Sequence, residues 1–338
     1  MNAPRYAGRP GHVESWFLRA NHPSRPLAVW IKLTILAPLP GPAGAPPPVL
    51  ETWLVYFDGE NGTTFAHKDT HPLDRTSLAS PDASADVVLS AGRFVLDLKA
   101  GTVRGAAGAG SFDLQFSPVA GSVARPLCLL PYDWMLRSPF PKSKLLTPLP
   151  ALMFSGALTI GGATVAVDGW SGMEGHNWGK EHAFEYVWGQ CVFPESVDPG
   201  GAGPAVVVEA FSARVRVGGM LTPRLSALVV RRGDEEHRFD SLVDVWRQEA
   251  TVNDVRWTLR MRGPAGEVRL RVDGTGRPMV CLGYRNPDGR LAYCRNSKLA
   301  DTLVEVRPAR STPFHASSAH GGALELLGAD ADPALPVV

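Results

Sequence analysis

A chain of 338 residues suits two domains of roughly 150 residues, with one very large barrel as the competing arrangement. Its composition, 44% apolar and 20% charged, excludes a disordered chain, and no stretch nears the ~18 uninterrupted apolar residues of a membrane helix. A formal net charge of +1, from 34 Lys and Arg against 33 Asp and Glu, provides no general field for drawing in nucleic acid or an anionic membrane. The 35 glycines and 30 prolines make up about 19% of the chain against a usual ~12%, which favours many short strands over long helices.

The first segment, MNAPRYAGRPGHVES, lacks the apolar core of a secretory signal, so a cytoplasmic protein is expected. In the strand that follows, Glu14 shares a face with Trp16 and Leu18, against Ser15, Phe17 and Arg19. Glu14 is thus an inward acid, or a carboxylate at the rim of a barrel. GPAGAPPP at 41–48 and DPGGAGP at 198–204 read as loop insertions between strands. His67 and His71 have helical ligand spacing, but Thr64-Phe65-Ala66 before them reads as strand, and no metal is expected. Period-two alternation places Phe94, Leu96 and Leu98 on one face, and Phe112, Leu114 and Phe116 on another. Residues 128–150, rich in proline and aromatics, form either a covering loop or a plain crossover. After the hairpin of LMFSGALTI with ATVAVDG the chain divides near residue 175, giving domains 1–175 and 176–338.

The most distinctive block is Gly169-Trp170-Ser171-Gly172-Met173-Glu174-Gly175-His176-Asn177-Trp178-Gly179, with Glu185-Tyr186-Val187-Trp188-Gly189-Gln190 after it. If the block is extended, Glu174, His176 and Trp178 share one face, and its glycines admit a backbone or a ligand. The alternative is a loop tied by His176 and Asn177 with Trp178 in the core. Further on, Arg214 and Arg216 fix an outer face, so that Phe211 and Glu209 point into the barrel, where desolvation would raise the carboxyl pKa. Glu209 is then a general-acid candidate, unless an inward Arg, Ser or backbone group satisfies it. Residues 211–310 hold 18 Arg, one Lys and 12 acidic residues; Arg256, Arg260, Arg262, Arg269 and Arg271 fall outward, as a solvated face or as a docking surface. Turn signals such as Gly218-Gly219 and Asp288-Gly289 punctuate this half. Folding CLGYRNPDGRLAYC about Asn286–Gly289 places Cys281 opposite Cys294, where a cross-strand disulfide is an option. The four cysteines have no C-x-x-C spacing, and no P-loop, dinucleotide fingerprint or G-x-S-x-G elbow is present.

The G-H-N-W-G block with its following W-x-Q strand resembles the signature of the two-domain lipocalin-like superfamily that includes tocopherol cyclase and the carotenoid 1,2-hydratases. Glu14-Ser15-Trp16-Phe17 is similar to the group's opening strand, and Tyr293-Cys294-Arg295-Asn296-Ser297-Lys298-Leu299-Ala300 to a late segment of tocopherol-cyclase-like chains. The resemblance implies two lipocalin-like antiparallel β-barrel or sandwich domains around an apolar ligand, and acid-promoted hydration or cyclisation of an isoprenoid or polyene. Glu209, Glu14, Glu174 and His176 would supply the proton, while Trp16, Asn177, Trp178, Tyr186 and Trp188 would bind substrate and screen the cation. The expected partner is a small lipophilic ligand, with peripheral membrane contact for its delivery and no nucleic acid or cofactor. One departure matters: the hydratases tend to carry an acid immediately before the signature histidine, where this chain has Gly175, and one step along a strand changes the face. A non-catalytic carrier of such a molecule is the alternative function, and an interaction protein using the Arg-rich sheet is a third.

Overall fold

The computed structural model describes residues 2–42, 44–73, 88–91, 93–120, 125–194, 196–198, 201–217 and 220–338; the Gly218-Gly219 turn lies outside the described residues. Its first ten strands are β1 (His12–Asn21), β2 (Leu27–Ala37), β3 (Val49–Asp58), β4 (Thr63–Pro72), β5 (Val88–Ala91), β6 (Phe94–Asp97), β7 (Thr102–Ala107), β8 (Gly110–Pro118), β9 (Ser143–Ile160) and β10 (Ala163–Gly179). They form one antiparallel sheet in the order β4-β3-β2-β1-β10-β9-β8-β7-β6-β5. The chain walks outward from β1 to β4, passes to the far edge, and walks back until β10 closes on β1.

The second half repeats that path. β11 (Glu185–Phe193), β14 (Val206–Arg214), β17 (Leu225–Arg232) and β18 (Glu235–Phe239) run outward, with the short pairs β12 (Ser196–Asp198) and β13 (Gly201–Gly203), and β15 (Arg216–Val217) and β16 (Met220–Leu221), between them. A short helix α1 (Leu242–Trp246), held by a Ser241–Asp244 capping box, leads to the far edge. From there β19 (Gln248–Asn253), β20 (Arg256–Gly263), β21 (Gly266–Asp273), β23 (Leu291–Pro308) and β24 (Phe314–Gly328) walk back to β11, with β22 (Val280–Arg285) on β23. Each sheet curls on itself: the Gly108 amide donates to Asp69 across the first, and the Ser226 hydroxyl to Gln248 across the second. Two antiparallel β-barrel or sandwich units are therefore the architecture, and the chain passes between them after Gly179 and before Glu185.

Three apolar layers follow from the strand alternation. Trp16, Ile31, Phe94, Leu96, Phe112 and Leu114 fill the first barrel, and Val208, Trp257, Leu259, Val268 and Leu270 the second. Between the sheets lies a third core of Phe17, Trp30, Trp53, Met173, Trp188, Val207 and Tyr284. Strands β1 and β2 are accordingly buried on both faces, which is why LAVWIKLTILA is almost continuously apolar.

Two expectations need correction. The β22–β23 loop spans Asn286–Arg290, one residue longer than the turn assumed, so Cys281 pairs with Arg295 and Cys294 with Leu282; all four cysteines are buried free thiols. Glu209 does not point into the second barrel. Val206, Val208 and Ala210 occupy that interior, and Glu209 faces the layer between the sheets with Val207 and Trp188. Arg214, expected on the outer face, instead shares the face of Val206, Val208 and Ala210 and sits at the end of β14, where its side chain is partly exposed and pairs with Glu185 at 3.8 Å; the side chain of Arg216 lies outside the described residues. On the outer face of the second sheet, Arg256 pairs with Asp273, Arg260, Arg262 and Arg269 with Glu267, and Arg271 with Asp301, as a solvated face would.

Candidate functional site

The ribbon of β9 and β10 has a buried acid centre on each face. Register between β1 and β10 sets Glu14 beside Trp178, Trp16 beside His176 and Leu18 beside Glu174, so five of the nine expected site residues share the interior of the first barrel. The glycines of β10 permit this approach. A Cβ at Gly172 would meet the Arg19 carbonyl at 1.8 Å, one at Gly179 the Lys142 carbonyl at 1.9 Å, and one at Gly175 the Phe17 ring at 2.3 Å. An acid at 175 would therefore collide with Phe17 between the sheets, whereas Glu174 faces the barrel.

Glu14 is locked. The Arg5 and Tyr6 amides donate to it at 2.7 and 2.8 Å, His12 Nε2 at 3.0 Å and His176 Nε2 at 2.8 Å. Burial pushes its pKa up, but the His12, His176 and Arg5 hydrogen bonds overcome burial and bring it down to about 2. Glu14 is a fixed anion and no proton donor. It orients His176, which stacks on Trp16 at 4.6 Å; burial lowers the imidazole pKa against the pull of Glu14, so the ring is neutral with Nε2–H on Glu14 and Nδ1 buried without a partner among the described residues. Glu174 is the opposite case. Among the described residues only Asn2 donates to it, at 3.0 Å to each oxygen, and burial raises its pKa to about 8, so it carries a proton at neutrality. The same Asn2 accepts from the Trp16 indole through its backbone carbonyl. The N-terminal segment thus caps this centre.

On the other face, Thr147 and the Trp188 indole both donate to Oε1 of Glu209, at 2.9 and 3.1 Å, and Oε2 is buried without a partner among the described residues. Burial raises the carboxyl pKa, the two donors with Arg231 and Arg19 partly oppose it, and the result is about 7. Tyr186, the other expected residue here, bonds Glu325 at 3.3 Å. Asn177 alternates with His176 and so lies on the opposite, inter-sheet face of β10, paired with Leu145 of β9.

The inter-sheet layer also holds charges that face-by-face reading did not select. Lys298 pairs with Glu325 at 2.6 Å beneath Trp30 and Trp188, and Asn296 donates to the same oxygen at 3.1 Å. Lys32 lies over the Tyr284 ring at 4.0 Å; burial lowers its pKa to about 8 against Glu325 and Glu51. Arg19 crosses the layer to Gln190 (3.0 Å) and the Gly321 carbonyl (3.1 Å). The visible signal was Lys32, a cation in the middle of an apolar strand. Among the described residues no group of three His, Cys, Asp or Glu is placed to hold a metal ion.

Residues 127–136 cover both centres. Leu127 pairs with Thr147 through both backbone bonds, Leu127 and Leu129 enter the inter-sheet core, and Cys128, Leu130 and Leu136 pack on Trp178. Outside them lies an open cleft of about 510 Å³ lined by Cys128, Tyr132, Trp134, Arg231, Glu236 and Arg238, among others. Of the 128–150 stretch, the part before β9 fits the covering-loop reading better than a plain crossover, whereas residues 143–150 are strand, the start of β9.

No family model matches this chain. Two uncharacterised proteins of Mycobacterium tuberculosis, from strains CDC 1551 and H37Rv, are each 26% identical to it over 306 residues, which cover 90% of this chain and 84% of theirs. Similar solved structures include CghA with Sch210972 (TM-score 0.59, covering 95% of this chain and 89% of that one), kievitone hydratase from Nectria haematococca (0.54, 94% and 89%) and an AttH candidate from Nitrosomonas europaea (0.53, 94% and 93%). Each is 12% identical, so the likeness is one of fold, and it extends over both sheets.

Proposed function

We propose that the protein catalyses acid-assisted hydration or cyclisation of an isoprenoid- or polyene-like substrate, with Glu209 as the proton donor. The observation that carries this reading is the Glu209 carboxyl: buried, half protonated near neutrality, anchored by one oxygen and, among the described residues, unpartnered at the other, beside aromatic side chains. A donor with a pKa near the working pH combines an available proton with the driving force to release it. Transfer of that proton to a trisubstituted alkene leaves a carboxylate and a tertiary cation; Trp188 and the Phe17 ring 6.1 Å from it present aromatic faces to positive charge. Water, or a nucleophile within the substrate, then adds to the cation, and the proton released returns to Glu209. A fold shared with a hydratase and the resemblance to tocopherol cyclase and the carotenoid hydratases both support the reaction class.

Carriage without chemistry is the second reading, favoured by the locked state of Glu14 and the Asn2 cap on Glu174. Turnover of polyene and isoprenoid alkenes in D2O separates the two. Catalysis incorporates deuterium at the protonated carbon, and Glu209→Gln abolishes incorporation while ligand affinity stays within about twofold, as expected for an interaction needed only in the transition state. Incorporation undiminished in Glu209→Gln acquits this residue, and binding with no incorporation in the unaltered protein favours the carrier.

A further inference from the structure

Among the described residues, the exposed large aromatic side chains all come from one stretch: Tyr132 is 48% exposed, Trp134 63% and Phe140 53%. The other exposed large apolar residues are aliphatic and lie elsewhere in the chain, among them Leu39, Met220, Val243 and Leu291. The stretch is ordered by its own backbone. A 3-10 turn over Asp133–Leu136 is closed by the Met135, Arg137 and Ser138 amides, and the Ser138 hydroxyl ties down the Met135 carbonyl at 3.2 Å. Within it the Tyr132 and Trp134 rings stack at 6.2 Å. The fold thus holds aromatic surface out in water, which marks an interaction site.

The charge around these rings differs from that of the chain as a whole. Arg137, Lys142 and Lys144 stand against one acid, Asp133, in residues 128–150, whereas the whole protein is nearly neutral. Arg137 and Lys142 are exposed, and the Lys180 amide bonds the Lys142 carbonyl, which brings a further exposed lysine beside them. Glu181 engages Lys142 at 2.9 Å and Arg290 at 3.3 Å, so its charge is shared between two cations. Lys144 turns inward to the Pro141 carbonyl and does not contribute. Rigid Trp, Tyr and Phe with flanking Lys and Arg are the chemistry of a membrane–water boundary, where the rings settle at headgroup depth and each basic residue is drawn to anionic lipid.

We propose that residues 132–142 dock the protein on an anionic bilayer surface, with Trp134 and Phe140 inserted and Arg137, Lys142 and Lys180 over the headgroups. Tyr132 and Trp134 also line the open cleft, so docking sets its mouth against the lipid. The site stands apart from the acid chemistry, and its test needs no turnover. Full-length protein is floated with vesicles of phosphatidylcholine alone and of phosphatidylcholine mixed with phosphatidylglycerol. Binding is expected to the mixed vesicles, weakening with added salt. Trp134→Ala/Phe140→Ala should lower partitioning at least tenfold, and Lys142→Glu at least fivefold on the mixed vesicles only, with thermal unfolding unchanged in both because the residues are exposed. Absence of flotation by the unaltered protein, or undiminished flotation of the double variant, overturns the proposal. So does a dimer that the double variant converts to a monomer without any lipid effect, since the aromatic patch would then belong to a second copy of the chain.

Discussion

Glu14 and Glu174 lie on one face of one sheet, yet their proton affinities are pushed in opposite directions, to about 2 and about 8. Alternation in the sequence placed both carboxyls inward, and both are fully buried. Their charge states were not legible, because the donors come from elsewhere: the Arg5 and Tyr6 amides and His176 for Glu14, and, among the described residues, Asn2 alone for Glu174, 172 residues away in the chain. The two acids should therefore give stability opposite pH dependences. Glu14 has a folded pKa below its unfolded value near 4.5, so its contribution of about 3 kcal/mol is complete above pH 5 and is lost as the pH falls towards 2. Glu174 has a folded pKa above its unfolded value; its contribution is complete below pH 4.5 and disappears as the pH rises through 8. Urea unfolding at pH 2, pH 4 and pH 8 checks both, the first step reporting Glu14 and the second Glu174. Glu14→Gln should cost about 2–3 kcal/mol at pH 8, and Glu174→Gln should gain about 2–4 kcal/mol there with little effect at pH 4. A loss of stability in Glu174→Gln at pH 8 would mean that the carboxylate form is the one the fold selects.

Single strands were the most readable level of the molecule, and pairings between them the least. Phe94 and Leu96, Phe112 and Leu114, and Val268 and Leu270 all point where period two puts them. β14 alternates with period two as well, but both of its faces are buried, so which of them is the barrel interior depends on the other sheet. The β22–β23 register slipped because one additional loop residue, which no composition signal betrays, moves every cross-strand partner by one. The segment before β9 shows how an irregular stretch is fixed by side chains it does not own. Arg231 of β17, engaged by Glu236, donates to the Arg125 and Pro126 carbonyls, and Arg238 of β18 donates to the Cys128 carbonyl at 2.7 Å. Removing Arg231 leaves the two carbonyls without this donor and takes from Glu236 one of the three arginines that engage it, Arg125 and Arg238 remaining. Arg231→Met should cost about 2–4 kcal/mol and raise amide exchange in residues 125–136 well before the β9 core. Exchange unchanged there would place the hold on this segment in the Leu127–Thr147 bridge instead.

The two sheets follow the same path through space, and neither is finished without the other. Their facing sides are lined by Phe17, Trp30, Trp53, Trp188 and Tyr284, and the charges between them are paired or stacked within the layer. Two buried sheet faces meeting in one core should melt together, so calorimetry is expected to record a single transition whose van't Hoff and calorimetric enthalpies agree. The Lys298–Glu325 pair sharpens that expectation, because both strands that carry it belong to the second sheet while Trp30, above Lys298, belongs to the first. Lys298→Met strands a buried carboxylate and should cost about 3–5 kcal/mol; Lys298→Met/Glu325→Leu removes the stranded charge and should recover most of it. If the sheets are one cooperative unit, the single variant lowers the whole transition. If instead the heat capacity peak splits and only one part moves, the layer between the sheets is an interface between independently stable domains, and an opening there becomes the natural route for a ligand to reach Glu209.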